Sequence, residues 1–135
     1  MRPMNEKINS FMIPGRLPSL NDYQNACRSH WSKGARMKKQ VEADIGWCIQ
    51  GARCRGDVRP AMGPVVVSFE WHESDRRRDL DNIFSAKKFI LDAMQKAGII
   101  KSDSPAHVVG LHDTPPVYDT EDFVIVTIQE AERRI

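Results

Sequence analysis

The chain has 135 residues, 41% hydrophobic and 28% charged, the proportions of an ordinary soluble globular protein that needs no staples to build a core. No apolar run approaches the ~20 residues of a membrane span, and residues 1–7 lack the apolar stretch of a signal peptide, so the expected compartment is the cytoplasm. Cys27, Cys48 and Cys54 cannot all pair and show no Cys-x-x-Cys spacing, which argues against a zinc or redox motif and for reduced, packing thiols.

In chain order, Ile8 to Ile13 is expected as a short strand stopped by Pro14-Gly15. Arg16 to Tyr23, with two prolines nearby and Ser, Asn and Asp, is expected as a loop. From Lys33 to Gln50 the steps Met37, Val41, Ile45 and Cys48 or Ile49 predict a helix that Gly51 could end. Residues 51–63 carry Gly, Pro and Arg without period and suggest a mobile basic connection. Pro64 to Trp71 is the clearest strand: Val65, Val67, Phe69 and Trp71 share one face, Ser68 and Glu70 the other. A second helix is expected from Leu80 to Ala97, with Gly98 just past its end. Val108 to Leu111 and Phe123 to Ile128 complete the strands, joined through Asp113 to Thr120 as a loose hairpin. The order β-α-β-α-β-β predicts one α+β domain over residues 1–135, two layers deep, with a mostly antiparallel or mixed sheet and helices on one face.

The run Arg76-Arg77-Arg78-Asp79-Leu80-Asp81-Asn82 carries the chemistry. Its two carboxylates, one residue apart, suit a hard divalent cation such as Mg²⁺. The three guanidinium groups, with Asn82, suit phosphate, which arginine binds by charge-assisted and often bidentate hydrogen bonds. A metal beside a phosphate clamp is the minimal equipment for phosphodiester chemistry. The plain alternative is an exposed helix start, where Asp is favoured by capping and by the macrodipole.

The second helix extends that site. Ile83, Ala86, Ile90, Ala93, Met94 and Ala97 fall on one stripe, the expected buried face. Asp81, Ser85, Lys88, Asp92 and Gln95 form a polar stripe at ~100° per residue, so Lys88 rather than Lys87 lies above Asp81, ~10 Å along the axis. Asp92, ~16 Å from Asp81 by the same rise, is too far to share a metal and is read as structural or as a helper on the phosphate side. Asp103, on the loop after the helix, could fold back beside Asp79 or stay a solvated loop residue.

Net charge is only +2, but its distribution is uneven. Arg28, His30, Lys33, Arg36, Lys38, Lys39, Arg53, Arg55 and Arg59 crowd the first half against Glu42, Asp44 and Asp57. Such segregation can present a positive face to a phosphate backbone, with Arg28, Lys33, Arg36, Lys38 and Lys39 as candidate contacts, or simply be a solvated helix face.

The segments Phe11 to Tyr23 (Phe-Met-Ile-Pro-Gly-Arg-Leu-Pro-Ser-Leu-Asn-Asp-Tyr), Arg77 to Asn82, Leu91-Asp92-Ala93, Ala97 to Ile100 and Asp103 together resemble RusA-type Holliday junction resolvases, in order and over about Ile8 to Ile128. The resemblance implies a RusA-like fold and a small, dimeric, Mg²⁺-dependent endonuclease, with Mn²⁺ as a possible substitute. Such enzymes, mostly from bacteria, phages and prophages, nick four-way DNA junctions symmetrically in recombination and repair. It places the catalytic and metal-binding carboxylates on Asp79, Asp81 and Asp103 and the catalytic lysine on Lys88. The helix between Asp81 and Asp92 is three residues longer than in shorter members, which leaves Lys87 as an alternative. Ser102 stands where some members carry a second Asp. His30, His72, His107 and His112 match no part of the motif and are read as surface or loop residues. The rival expectation from another class is a nucleic-acid-binding accessory protein of the same fold that does not cut; a third is a phosphohydrolase acting on small phosphate compounds.

Overall fold

Alternation along the Val-rich segment puts Val65, Val67, Phe69 and Trp71 inside, and the strand they define, β2 (Val65–Glu73), is the axis of the molecule. The computed structural model describes residues 8–131. Strand β1 (Asn9–Pro14) pairs antiparallel with β5 (Phe123–Glu130), and β5 pairs antiparallel with β2. On the other side of β2 lies β3 (Val108–Asp113), parallel to it; the short β4 (Val117–Tyr118) continues that edge, also parallel to β2. The sheet is therefore mixed, in the order β1-β5-β2-β3, and the expected α+β class holds.

The hairpin between the last two strands does not form. Residues 119–122, after β4, carry the chain across β2, because β5 fills the slot between β1 and β2. A parallel β2/β3 pair needs a crossover, and helices α3 and α4 supply it.

Helices α1 (Leu20–Ser29), α2 (Trp31–Arg55), α3 (Leu80–Phe84) and α4 (Lys87–Lys96) complete the order. Core side chains Ile45 and Ile49 of α2, Ile83 of α3, and Ile90 and Met94 of α4 share one cluster with the inward residues of β1, β2 and β5. Buried Glu42 on α2 takes an ion pair from Lys96 and ties α2 to α4.

Three helical boundaries differ from the sequence expectation. The first half of the Pro-punctuated "loop" leads into α1: Ser19 accepts from Asp22 N–H while the Asp22 carboxylate accepts from Ser19 N–H, a complete capping box. Helix α2 runs through Gly51 to Arg55, absorbing the start of the supposed basic connection; Arg53 reaches the carbonyl of Ala97 at 3.0 Å, and Gly56, at φ 80°, ends the helix. The long second helix is two helices. At Ser85-Ala86 the bonds tighten, with Ala86 N–H donating to Ile83 and Phe89 N–H to Ala86, three residues back in each case. Its expected buried stripe survives the break, with Ile83, Ala86, Ile90, Ala93 and Met94 all buried. Nor is His72 a surface histidine: it lies in β2, stacked on Phe123 at 4.0 Å, with Glu70 at 2.8 Å.

Candidate active site

The Arg-rich turn leaves the end of β2 and is pinned from several sides. Arg78, nearly buried, donates to buried Glu73 at 2.5 Å, so its guanidinium faces inward rather than towards solvent. Asp122 at the start of the β5 segment accepts from Ser74 N–H and Oγ at 2.7 and 2.9 Å. Arg77 donates from its backbone and Nε to Asp75, and Arg16 stands 3.6 Å from the same carboxylate. Those hydrogen bonds from Arg77, and then its charge and that of Arg16, hold the Asp75 carboxyl down at about 2. The Arg76 guanidinium lies over the Tyr118 ring, 4.7 Å from its centroid. All three arginines of the sequence motif thus have partners inside the chain.

The turn delivers Asp79 to the N-cap position of α3 (φ −67°, ψ 147°), yet its carboxylate makes no capping hydrogen bond. Asp81 sits in the first turn of the same short helix. Both are exposed, and among the described residues neither side chain has a hydrogen bond or an ion pair. Helix α1 braces this ledge: Leu20 N–H donates to Ser85 Oγ at 2.9 Å, Asn21 Nδ2 donates to Asn82 Oδ1 at 2.9 Å, and Ser85 Oγ in turn donates to the Asn82 carbonyl. Asn82 is therefore oriented by Asn21 of α1, a helix formed where the composition predicts a loop.

The two lysines divide cleanly. Lys87 turns to the sheet side, half-buried against the rings of Phe69 and Phe84, and pairs with Asp113. Asp113 also accepts from Trp71 Nε1 at 2.8 Å. Lys88 is exposed and lies between two acids, 2.7 Å from Asp103 and 3.0 Å from Asp92; Lys38 of α2 approaches Asp92 at 3.6 Å. The hydrogen bond from Lys88 lowers the Asp103 carboxyl, and those to Asp103 and Asp92 raise the Lys88 ammonium.

Among the described residues no group of three His, Cys, Asp or Glu side chains is drawn together to hold a metal, so Asp79, Asp81 and Asp103 do not form a closed chelating set in this arrangement. The donors nonetheless suit a hard cation. Asp79 and Asp81 offer carboxylate oxygens that no cation of the described residues occupies, and Asp103 keeps one oxygen outside its Lys88 bond.

Of the basic residues expected to face phosphate, Arg28, Lys33, Arg36 and Lys39 are exposed and, among the described residues, lack a carboxylate partner. Lys38 is the exception. A groove along α1, lined by Asp22, Asn25, Ser29 and Lys33, ends at Arg16, which stands 3.6 Å from Asp75 beside the Arg-rich turn. Sequence reasoning missed Asp113 as the partner of Lys87, and Glu73 and Asp75 as partners of the motif's arginines. The last two were within reach of inspection, since Asp75 precedes Arg77 by two residues and Glu73 precedes Arg78 by five.

No described helix is long and apolar enough to cross a membrane. No relative is found among curated proteins. The family model of endodeoxyribonuclease RusA matches residues 4–129, nearly the whole length, and its span includes the carboxylate ledge, both lysines and the braced α1. The chain belongs to the RusA endodeoxyribonuclease family.

Proposed function

We propose that this protein is a divalent-metal-dependent endodeoxyribonuclease that resolves four-way DNA junctions by paired nicks. One observation carries the reading. The surrounding acids Glu73, Asp75, Asp92, Asp103, Asp113 and Asp122 all have protein partners, whereas Asp79 and Asp81 stand exposed with none among the described residues. Two uncompensated carboxylates side by side repel each other and repel phosphate, so a binding-only surface gains nothing from them. A divalent cation held by these carboxylates would remove both penalties.

Asp79 and Asp81, with Asp103 as third donor, would hold Mg²⁺, or Mn²⁺ in its place. At that site the bound ion would supply Lewis-acid polarisation of the phosphoryl group and a more acidic water. The chain's own residues do the rest. Lys88, on the exposed side and already among acids, supplies positive charge where the phosphoryl oxygens gain negative charge. Asn82, oriented by Asn21, and the Arg-rich turn position the backbone. Arg28, Lys33, Arg36 and Lys39 add phosphate affinity, so junctions are selected by shape and phosphate geometry rather than base edges. A symmetric homodimer places two such ledges on equivalent strands of a junction that has approximate two-fold symmetry.

Purified protein with Mg²⁺ should nick a synthetic four-way junction at symmetric positions in preference to the matching linear duplex, and a chelator should stop it. Equal cutting of both substrates would remove the junction assignment. Tight junction binding with no cutting under any divalent ion would favour the non-cutting accessory protein.

A further inference from the structure

The corner between α1 and α2 is held more firmly than a surface turn requires. His30 is the last cap of α1 and the first of α2, in one extended conformation (φ −162°, ψ 137°). Its Nδ1 accepts from Ser32 N–H at 3.2 Å and lies 2.8 Å from Ser32 Oγ. One turn on, Gly34 lets the two helices close up: a Cβ there would fall 2.2 Å from Cys27 Sγ. The imidazole is thus fixed, and the Trp31 indole stacks on it with ring centroids 5.8 Å apart and planes at 26°. Yet Trp31 is 83% exposed.

A large aromatic ring ordered in advance and held out in water has already met the entropic cost that usually opposes a contact. Its second face is open. The side chains around it set the chemistry of what it can meet: Arg28, Lys33 and Arg36 are exposed and, among the described residues, have no carboxylate partner. The groove lined by Arg16 and Lys33 leads from this corner towards the Arg-rich turn. A flat π-face among phosphate-binding cations is the pattern of a nucleic-acid stacking platform. Trp47 makes the contrast. It is 76% exposed on the outer side of α2, but among the described residues no ring fixes it.

We propose that Trp31 is a DNA-contact residue that stacks on a base left unstacked at the branch point, with Arg28, Lys33 and Arg36 on the flanking phosphates. This rests on the junction reading above for the identity of the DNA. Paired bases inside a linear duplex offer no free face, so the contact adds affinity only where strands part. It therefore adds to the discrimination between branched and linear DNA that shape and phosphate geometry supply.

The test is equilibrium binding of fluorescent four-way junction and linear duplex, without divalent ions, over a range of salt. Trp31→Ala should bind the junction about tenfold more weakly, with duplex binding unchanged. The slope of log affinity against log salt should stay at the wild-type value, because no phosphate contact is lost. Trp31→Phe should stay within about threefold of wild type, and Trp47→Ala should match it. The thermal midpoint of Trp31→Ala should be that of wild type, since the side chain is in solvent. Wild-type junction affinity in Trp31→Ala, or an equal loss on duplex, overturns the proposal and points to a protein partner or none at that corner. A wild-type protein with no preference for branched DNA overturns the junction reading itself, and this inference with it.

Discussion

Lys88, at the start of α4, and Asp103, in the loop that follows, meet at 2.7 Å although fifteen residues separate them. The pair leaves Lys87 to the interior and gives the two adjacent lysines opposite duties. Lys88→Ala should cut the nicking rate by at least tenfold while changing unfolding free energy by no more than about 0.5–1 kcal/mol, the worth of an exposed pair. Lys87→Ala should do the reverse, destabilising by about 1–3 kcal/mol because Asp113 is left half-buried without its cation. Urea unfolding beside junction nicking separates the two; a stable, inactive Lys87→Ala would reverse the assignment.

The carboxylate ledge makes a second prediction. Asp79→Asn and Asp81→Asn should each reduce Mg²⁺-dependent cleavage by about 100-fold or more, as expected when a metal ligand's charge is lost, with junction binding kept or tightened. Neither variant should unfold more easily than wild type, because among the described residues neither carboxylate bonds to the protein. Cleavage at the wild-type rate by Asp81→Asn would remove the ledge from the reaction.

Arg78 separates stability from DNA affinity. Its sequence position beside Asp79 suggests a phosphate ligand, but the side chain is nearly buried on Glu73. Arg78→Ala should therefore destabilise the fold by about 3–5 kcal/mol through the uncompensated Glu73 charge. Arg78→Ala/Glu73→Gln should recover part of that loss. A single variant as stable as wild type would place Arg78 back on the surface.

Much of the fold was legible because burial follows simple periods: Val65 to Trp71 alternate, and Ile83, Ala86, Ile90 and Met94 recur at helical steps. What was lost depends on contacts between distant segments. Helix α1 carries a readable capping box, Ser19-x-x-Asp22, but Pro18 and the run of Asn and Asp argued for a loop, and its docking on Ser85 and Asn82 shows in no local pattern. The break at Ser85-Ala86 is silent in propensity for a similar reason: neither residue is Gly or Pro. A hairpin between β3 and β5 was the local expectation, and pairing of β5 with β1 overruled it. The ledge carboxylates were legible by type and spacing. That they would be the ones without a partner among the described residues was not, since it depends on where five other acids find their cations and Asp122 finds Ser74.

Asp75 gives a pH signature. Its folded-state pKa, about 2 owing to the Arg77 hydrogen bonds, lies below the ~3.9 of an unfolded Asp. Pairing therefore favours the folded chain fully above about pH 4, and that contribution is lost as pH falls through about 2. Carboxyl NMR should show Asp75 still ionised at pH 3, and Arg77→Ala should return it towards ~3.9. An Asp75 that titrates near 4 in wild type would mean the Arg77 contact is absent in solution.

The capping box should matter to catalysis as well as to stability. Ser19→Ala removes the acceptor for Asp22 N–H and should cost about 1 kcal/mol. The loss falls on the turn of α1 that holds the ledge, because Leu20 N–H bonds Ser85 and Asn21 bonds Asn82 one and two residues later. Asn21→Ala isolates the second effect: it removes the side chain that fixes Asn82 while leaving the cap intact. Its stability should stay within about 0.5 kcal/mol of wild type, as for most exposed substitutions. Its nicking rate should fall several-fold at saturating junction, with affinity unchanged, since a misplaced positioning group costs rate rather than binding. A rate equal to wild type would show that Asn82 holds its place without Asn21, and that α1 braces the ledge through Ser85 alone.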